Sequence, residues 1–157
     1  MAPTKLIPLL HATSPRVRLV TVEQRWTIAE APRVSGPYEA RDVLIPYFEG
    51  KDREHFVVLH LDSAHRPLSV EVVSVGSLNQ SIVHPREVFK GALLANAQAI
   101  IAAHNHPSGN LDPSDADRRA FDQLTSAGEL LGIKLLDFLI VSGPRFRSLV
   151  DPSVGGE

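Results

Sequence analysis

The chain has 157 residues, of which 43% are hydrophobic and 22% charged, so it can form one domain with a buried core. Its 16 Lys and Arg against 18 Asp and Glu give a formal net charge of −2. A nucleic-acid-binding protein usually carries a basic excess, which this composition lacks. There is no cysteine, which excludes disulfides and thiolate metal ligands and agrees with a reducing compartment.

The N-terminal part of the chain reads as loosely structured. Residues 1–15 contain three prolines and predict a flexible arm. Residues 16–23 alternate polar and apolar side chains and predict an edge strand, and residues 24–36 predict mostly loop. The apolar stretch broken by Pro8 does not have the usual form of a signal peptide, and no run is long enough for a membrane span. We therefore expect a cytoplasmic protein.

A first helix is predicted over residues 35–50. Ser35 is a candidate N-cap, and Pro37 suits the first helical turn. Pro46 and Gly50 are expected to end the helix, since proline disrupts a helix interior and glycine favours the position just after a helix.

The rest of the chain alternates strand-like and helix-like segments. Residues 55–62 and 68–76 are rich in Val and Leu and flank a short turn, which predicts a β-hairpin. Helices are predicted at 84–97 and 113–132, and strands at 99–104, 133–143 and 145–150. Because strands and helices are interleaved, the sequence predicts an α/β or α+β fold in which helices flank a mixed central sheet.

Two histidines stand at the end of a predicted buried strand. His104 and His106 are two residues apart, and strand side chains repeat every two residues, so both imidazoles are expected on one face. Such a pair is half of a typical zinc site. The sequence therefore predicts a metal site here, although His-x-His also occurs without a metal.

A carboxylate follows in the first turn of the next predicted helix. Asp117 lies three residues after Ser114, so its side chain can point back toward the two histidines. Three protein ligands leave one coordination position of zinc open for water, as in catalytic sites. Ser114 and Asp117 also fit a capping box, which many helices use without any catalysis. The two roles of Asp117 are compatible, because one carboxylate oxygen can bind the backbone while the other binds a metal.

A hydrolytic metal site also needs a nearby base. Glu54 begins a predicted strand, and on spacing alone Glu71 and Glu87 are rivals for this role. None of the remaining five histidines is assigned to the metal. Of these, His60 and His65 are expected on the surface or in loops, and His84 is a candidate helix cap.

The motif H-x-H, seven residues, S, two residues, D resembles that of the JAB1/MPN+ (JAMM) metalloproteases. The longer string VHPREVFKGALLANAQAIIAAHNHPSG is similar to the RadC-like JAB branch of that family. The likeness covers residues 37–150. It implies an α/β fold of the JAB1/MPN type, similar to cytidine deaminases. Because the sequence shows no clear domain boundary after residue 16, we expect a single RadC-like JAB/MPN domain over residues 16–151 and a frayed tail at 152–157.

The resemblance also assigns roles within the site. It implies one Zn²⁺ held by His104, His106 and Asp117, with a water completing the site. It implies Glu54 as the general acid/base, because Glu54-His55-Phe56 with a following Leu-Asp pair matches the family's pattern, and this decides against Glu71 and Glu87. Ser114 takes the place of the family serine that stabilises the oxyanion, a contribution of about 10²–10³ in rate.

Two departures from the family pattern stand out. RadC-like chains usually have a His where Phe138 follows Asp137, which puts in doubt a substrate-side role for that position. Full-length RadC proteins also carry an N-terminal helix-hairpin-helix segment, and residues 1–50 show no such glycine-rich hairpin.

The resemblance favours a zinc-dependent hydrolase of peptide or isopeptide (amide) bonds. The expected substrate is a peptide, a protein conjugate or another amide. The alternatives are a DNA-associated accessory protein of the RadC type and a non-catalytic MPN scaffold. The net charge does not favour DNA binding, and non-catalytic members typically lack metal ligands that are present here.

Overall fold

A computed structural model of the protein describes residues 32–76 and 83–156. One sheet contains six strands in the order β2-β1-β3-β4-β5-β6. The strands are β1 (His55–Leu61), β2 (Pro67–Val75), β3 (Ala99–Asn105), β4 (Lys134–Ser142), β5 (Arg145–Ser148) and β6 (Gly155–Gly156). The helices of the described ranges are α1 (Pro37–Leu44), followed by a 3-10 turn (Ile45–Tyr47), then α2 (Pro85–Leu94) and α3 (Asp115–Leu131).

The sheet is mixed, as the alternation of segments predicts. β3 and β4 run parallel, and the other neighbouring strands pair antiparallel. A parallel pair needs a crossover connection, and α3 supplies it between β3 and β4. The α/β fold class is confirmed, and the arrangement is consistent with a JAB/MPN-like fold. Within the described ranges, no helix is both long and apolar enough to cross a membrane.

Helices cover both faces of the sheet, so the central strands are buried on both sides. On one face, Phe56 and Ile100 pack with Phe89 of α2 and Leu124 of α3. On the other face, the alternate residues of the same strands pack with α1. This explains why every residue of β1 and β3 is buried and why most of them are apolar, since a strand covered on both faces does not alternate between apolar and polar side chains.

The start of α1 differs from the prediction. Gly36, not Ser35, is the N-cap, and no side chain caps the helix. The Ser35 hydroxyl instead donates to Glu39 Oε1 at 3.0 Å. Pro46 limits the helix as expected, because the chain tightens into the 3-10 turn around it.

The ends of α2 and α3 follow the predicted capping chemistry. His84 caps α2, and its Nδ1 accepts from the Arg86 amide at 3.1 Å. Ser114 caps α3, which ends at Gly132 in the left-handed conformation with φ of 71°. The helix that delivers Asp117 therefore begins at a defined residue.

Several predictions concern residues outside the described ranges. The arm at 1–15 and the strand at 16–23 lie there, so a domain of 16–151 stays a prediction. The expected frayed tail at 152–157 is partly wrong, because Gly155 and Gly156 pair with Arg147 and Phe146 of β5. Gly155 permits this close approach, since a Cβ there would lie 2.2 Å from the Phe146 carbonyl oxygen.

The expectation that His60 lies on the surface or in a loop is wrong. His60 is on β1, and its side chain is only 2% exposed. Its Nδ1 lies 2.8 Å from Ser69 Oγ, and its Nε2 lies 3.8 Å from Glu71 Oε2. Burial lowers the pKa of His60 from 6.5 to about 4. The residue is therefore a neutral core histidine at neutral pH, since a polar side chain can enter a core when a neighbour bonds to it.

The buried His60 predicts that stability falls in acid. In the unfolded chain His60 has its ordinary pKa of 6.5, whereas in the folded protein its pKa is about 4. The free energy of unfolding should therefore fall through this window, by up to about 3 kcal/mol. Urea unfolding across pH, compared with His60→Gln, checks this. Burial raises the pKa of Glu71 and acts oppositely, but both proteins share that contribution. Parallel pH profiles for the two proteins would contradict the prediction.

The close packing of α3 at Gly128 predicts the effect of a substitution there. An alanine at Gly128 would place its Cβ 2.4 Å from the main-chain oxygen of Ile133. Alanine favours helix by about 1 kcal/mol, but overpacking costs about 1–3 kcal/mol, so Gly128→Ala should destabilise the protein. Thermal unfolding checks this against Gln123→Ala at an exposed position of the same helix. Equal or higher stability of Gly128→Ala would show that α3 shifts without cost.

Candidate metal centre

The two histidines lie side by side at the end of β3. His104 is on the strand and His106 follows it, and their ring centroids are 4.8 Å apart in an edge-to-face arrangement. The His104 side chain is 2% exposed and that of His106 is 12% exposed. The predicted placement of both imidazoles on one face is therefore observed.

Asp117 reaches the histidines from the first turn of α3, and its side chain is fully buried. Its Oδ1 lies 3.2 Å from His104 Nδ1, and its Oδ2 lies 3.5 Å from His106 Nε2. One ligand atom from each of the three residues falls within 4.8 Å of the others. No other group of three such residues occurs in the ranges 32–76 and 83–156.

The polar atoms of this cluster fit a metal ion. Both ring nitrogens of His104 and the Oδ1 atom of Asp117 are buried without a hydrogen-bond partner, although Nδ1 and Oδ1 are close. Buried polar atoms are normally hydrogen-bonded, and an unsatisfied one costs about 1–3 kcal/mol. A cation bound between these side chains would satisfy the carboxylate oxygen and a ring nitrogen together. The three residues therefore could hold a metal.

Ser114 and Asp117 also form the capping box that the sequence allows. Asp117 Oδ2 accepts from the Ser114 amide at 2.8 Å and from its hydroxyl at 2.6 Å. In return, the Asp117 amide donates to Ser114 Oγ at 3.2 Å. The geometry is therefore compatible with both roles of Asp117, helix capping and metal binding. Oδ2 takes part in the cap, and Oδ1 remains available to a metal ion.

A backbone carbonyl sets the orientation of His106. Its Nδ1 lies 2.7 Å from the carbonyl oxygen of Asn110. A carbonyl oxygen only accepts, so Nδ1 carries the proton and donates it. In the neutral ring the lone pair is then on Nε2, the atom that faces Asp117. Metal-binding histidines usually have such a partner on the second nitrogen.

The cluster favours an ionised carboxylate. Burial by itself raises the pKa of Asp117, but the adjacent imidazoles of His104 and His106 and hydrogen bonds from Ser114 outweigh it, so the pKa lies well below its usual value. In turn, the carboxylate of Asp117 raises the pKa of His106. An ionised carboxylate is suited to bind a metal cation, because metal ligands must be deprotonated.

Of the three glutamates considered as the base, Glu54 lies next to the histidines. It immediately precedes β1, and its Oε2 is 3.8 Å from His104 Nε2. Its side chain is 32% exposed, so it can meet both the cluster and solvent. The rivals lie elsewhere: Glu71 faces His60, and Glu87 pairs with Lys90.

Asn105, between the two histidines, holds the residues that flank Glu54. The sequence alone does not predict this role. The Asn105 side-chain oxygen accepts from the His55 amide at 2.6 Å, and its side-chain nitrogen donates to the Arg53 carbonyl at 3.0 Å. These bonds tie the residues on both sides of Glu54 to β3. Strand alternation signals that Asn105 points away from the histidines, but not what it contacts.

The comparisons with known proteins identify the family. A family model described as RadC-like JAB domain matches residues 34–154. The chain belongs to this family.

Its curated relatives include proteins named UPF0758. One from Methanosarcina mazei is 43% identical over 127 residues, which cover 80% of this chain and 56% of that protein. One from Desulforudis audaxviator is 48% identical over 118 residues, or 75% and 51% of the two chains. One from Staphylococcus haemolyticus is 40% identical over 122 residues, or 78% and 54%. The RadC-like chain thus spans about half the length of these relatives, whose names state no activity.

The departure from the RadC-like pattern at Phe138 has a clear place in the fold. Phe138 is fully buried on β4, on the sheet face that α2 and α3 cover. Its ring lies 5.6 Å from that of Phe56 and 6.4 Å from that of Phe121. In this chain the position contributes to the core.

The capping box predicts what a Ser114→Ala change does. It removes the helix cap, worth about 1 kcal/mol, and one of the two donors that hold Asp117 Oδ2. The protein should be less stable by about that amount, and a divalent metal ion should bind on the order of 10-fold more weakly. Urea unfolding and metal titration check both effects. Ser126→Ala, which removes an exposed hydroxyl bonded to the Asp122 carbonyl of the same helix, should leave metal affinity unchanged and should not destabilise the protein, since alanine favours helix by about 0.5 kcal/mol over serine. Unchanged metal affinity in Ser114→Ala would refute the positioning of Asp117 by this serine.

Proposed function

We propose that this RadC-like protein is a zinc-dependent hydrolase of amide bonds. The observation that supports it best is the convergence of His104, His106 and Asp117, whose buried Oδ1 has no hydrogen-bond partner, beside the partly exposed carboxylate of Glu54. Nitrogen and carboxylate ligands without sulfur suit Zn²⁺, and three protein ligands are typical of catalytic zinc sites. A bound Zn²⁺ lowers the pKa of a water molecule and polarises a carbonyl group.

Glu54 is the general base and acid in this proposal. Its carboxylate takes a proton from the attacking water and delivers it to the nitrogen of the leaving amine. The 3.8 Å distance to His104 Nε2 supports this role, because it places the carboxylate next to the ligands without making it part of the three-ligand group. Its partial exposure leaves a path for the proton and for the departing amine.

Ser114 has two tasks in the proposal. In the resting structure its hydroxyl proton is directed at Asp117 Oδ2, so it holds this ligand in place. During hydrolysis the same hydroxyl would rotate to donate to the oxyanion that develops on the substrate carbonyl. Because a hydroxyl has a single proton, it cannot serve both acceptors at once.

The substrate class is a peptide, a protein conjugate or another amide. This assignment rests on the chemistry of the site and on the family. The runner-up function, a DNA-associated accessory role, has no observation in its favour beyond the family name, since the net charge is −2.

Glu54→Gln provides the decisive variant. Protein purified without chelators should contain about one Zn²⁺ per chain, because one ligand cluster is present in the described ranges. Glu54→Gln should keep the metal but lose hydrolysis by about 10²–10⁴-fold, since the amide cannot take a proton. Elemental analysis and cleavage of a fluorogenic peptide library measure the two effects.

Glu129→Gln, an exposed carboxylate at the far end of α3, is the matched control and should leave metal content and rate unchanged. A wild-type protein that binds no divalent cation would sink the proposal. So would full hydrolysis by Glu54→Gln. Salt-sensitive DNA binding in a protein that lacks chelator-sensitive hydrolysis would instead favour the accessory role.

A further inference from the structure

We propose that Arg145 and Arg147 of β5 are positioning residues of the metal centre. They hold the loop of residues 107–112, whose carbonyl group at Asn110 orients His106. The inference deepens the proposed zinc site and rests on it for the effect on metal affinity. The orientation of His106 itself can be tested without a metal.

The loop connects the two halves of the metal centre. It begins directly after His106 and ends shortly before Ser114, so its shape affects ligands from both β3 and α3. Gly109 turns the chain back with φ of 91°, a conformation that favours glycine, and its amide donates to the His106 carbonyl at 3.1 Å. Within the loop, Asn110 Oδ1 accepts from the Asp112 amide at 2.9 Å.

Two arginines join this loop to the sheet. Arg145 donates to the Gly109 carbonyl at 3.0 Å, and Arg147 pairs with Asp112 at 2.6 Å. The contacts flank Asn110 on both sides, one residue before it and two residues after it. The backbone of β5 is held in place, because Phe146 between the two arginines is only 2% exposed and the strand pairs with β4.

The arginines matter for the site because the hydrogen-bond partner of His106 is the main-chain carbonyl of Asn110. Since His106 Nδ1 bonds to the main chain, the loop backbone itself has to be held in place. An exposed ion pair contributes little to overall stability, and the Asp112 side chain is 72% exposed. Loss of this ion pair would affect the site more than the overall stability. A displaced Asn110 carbonyl would let the His106 ring rotate and would let the proton move from Nδ1 to Nε2.

Charge and position predict opposite results, which makes the inference testable. If the arginines act only as nearby positive charges, removing one should strengthen the binding of a cation. If they position the loop, removing one should weaken it. The sign of the change in affinity therefore decides between a surface charge and a positioning residue.

Competition with a chromophoric chelator gives the Zn²⁺ dissociation constant. We expect Arg145→Ala and Arg147→Ala each to weaken binding on the order of 10-fold, the lower end for partners of metal ligands. Arg147→Lys keeps the charge and should recover part of the loss. In an Asp112→Ala background, Arg147→Ala should add no further loss, since its partner is already gone.

Arg66→Ala is the matched control. Arg66 also pairs with an aspartate, Asp62, but in the turn at the opposite end of β1 from Glu54. It should leave zinc affinity unchanged. Unchanged or tighter binding in both Arg145→Ala and Arg147→Ala would overturn the inference.

A second readout uses the metal-free protein. Nitrogen-15 NMR of the histidine side chains reports which ring nitrogen carries the proton, and wild-type His106 should be protonated at Nδ1 at a pH where the ring is neutral. Arg147→Ala should shift part of the population to the other tautomer, whereas Arg66→Ala should not. If the wild type binds no zinc, the proposed function fails, while this tautomer shift still supports the positioning role. An unchanged tautomer in both arginine variants refutes it.

Discussion

The arrangement of the centre depends on one buried carboxylate. Asp117 is fully buried, and a charge in such a position is costly unless other groups compensate it. Ser114 satisfies one oxygen, and the two imidazoles stand beside the carboxylate. The other oxygen lacks a hydrogen-bond partner and faces His104. A cation at this point would complete the set, so the same aspartate joins helix capping, burial and the chemistry of the site.

The fold brings these groups together by a single crossover. β3 carries His104 near its end and leads directly into His106, and the loop of residues 107–112 then turns the chain. Ser114 caps α3, which returns the chain to β4. Antiparallel pairing of β1 with β3 then places Glu54 beside His104, and Asn105 secures that contact from the other face. Each side chain of the cluster thus comes from the end of an element, where backbone geometry is set by pairing or by a cap.

Errors in the sequence-based predictions have identifiable physical causes. His60 was expected outside the core, because its partners Ser69 and Glu71 come from another strand and the pairing register was not known. Ser35 was expected to cap α1, but Gly36 fills that position, since local preference alone does not choose between adjacent residues. The glycines near the C-terminus were expected to fray, but the edge of β5 provides a pairing partner for them.

The sequence alone determined the order of helices and strands, the two histidines on one face and the carboxylate in the next helical turn, because these features follow from local periodicity and capping. The family resemblance already selects Glu54 over the other glutamates, and the tertiary structure places it beside His104. Only the tertiary structure decided which carbonyl orients His106. It also decided what holds that carbonyl, through arginines that lie more than thirty residues further along the chain. Such contacts depend on strand order and register, which are set by packing across the whole sheet rather than by any local pattern.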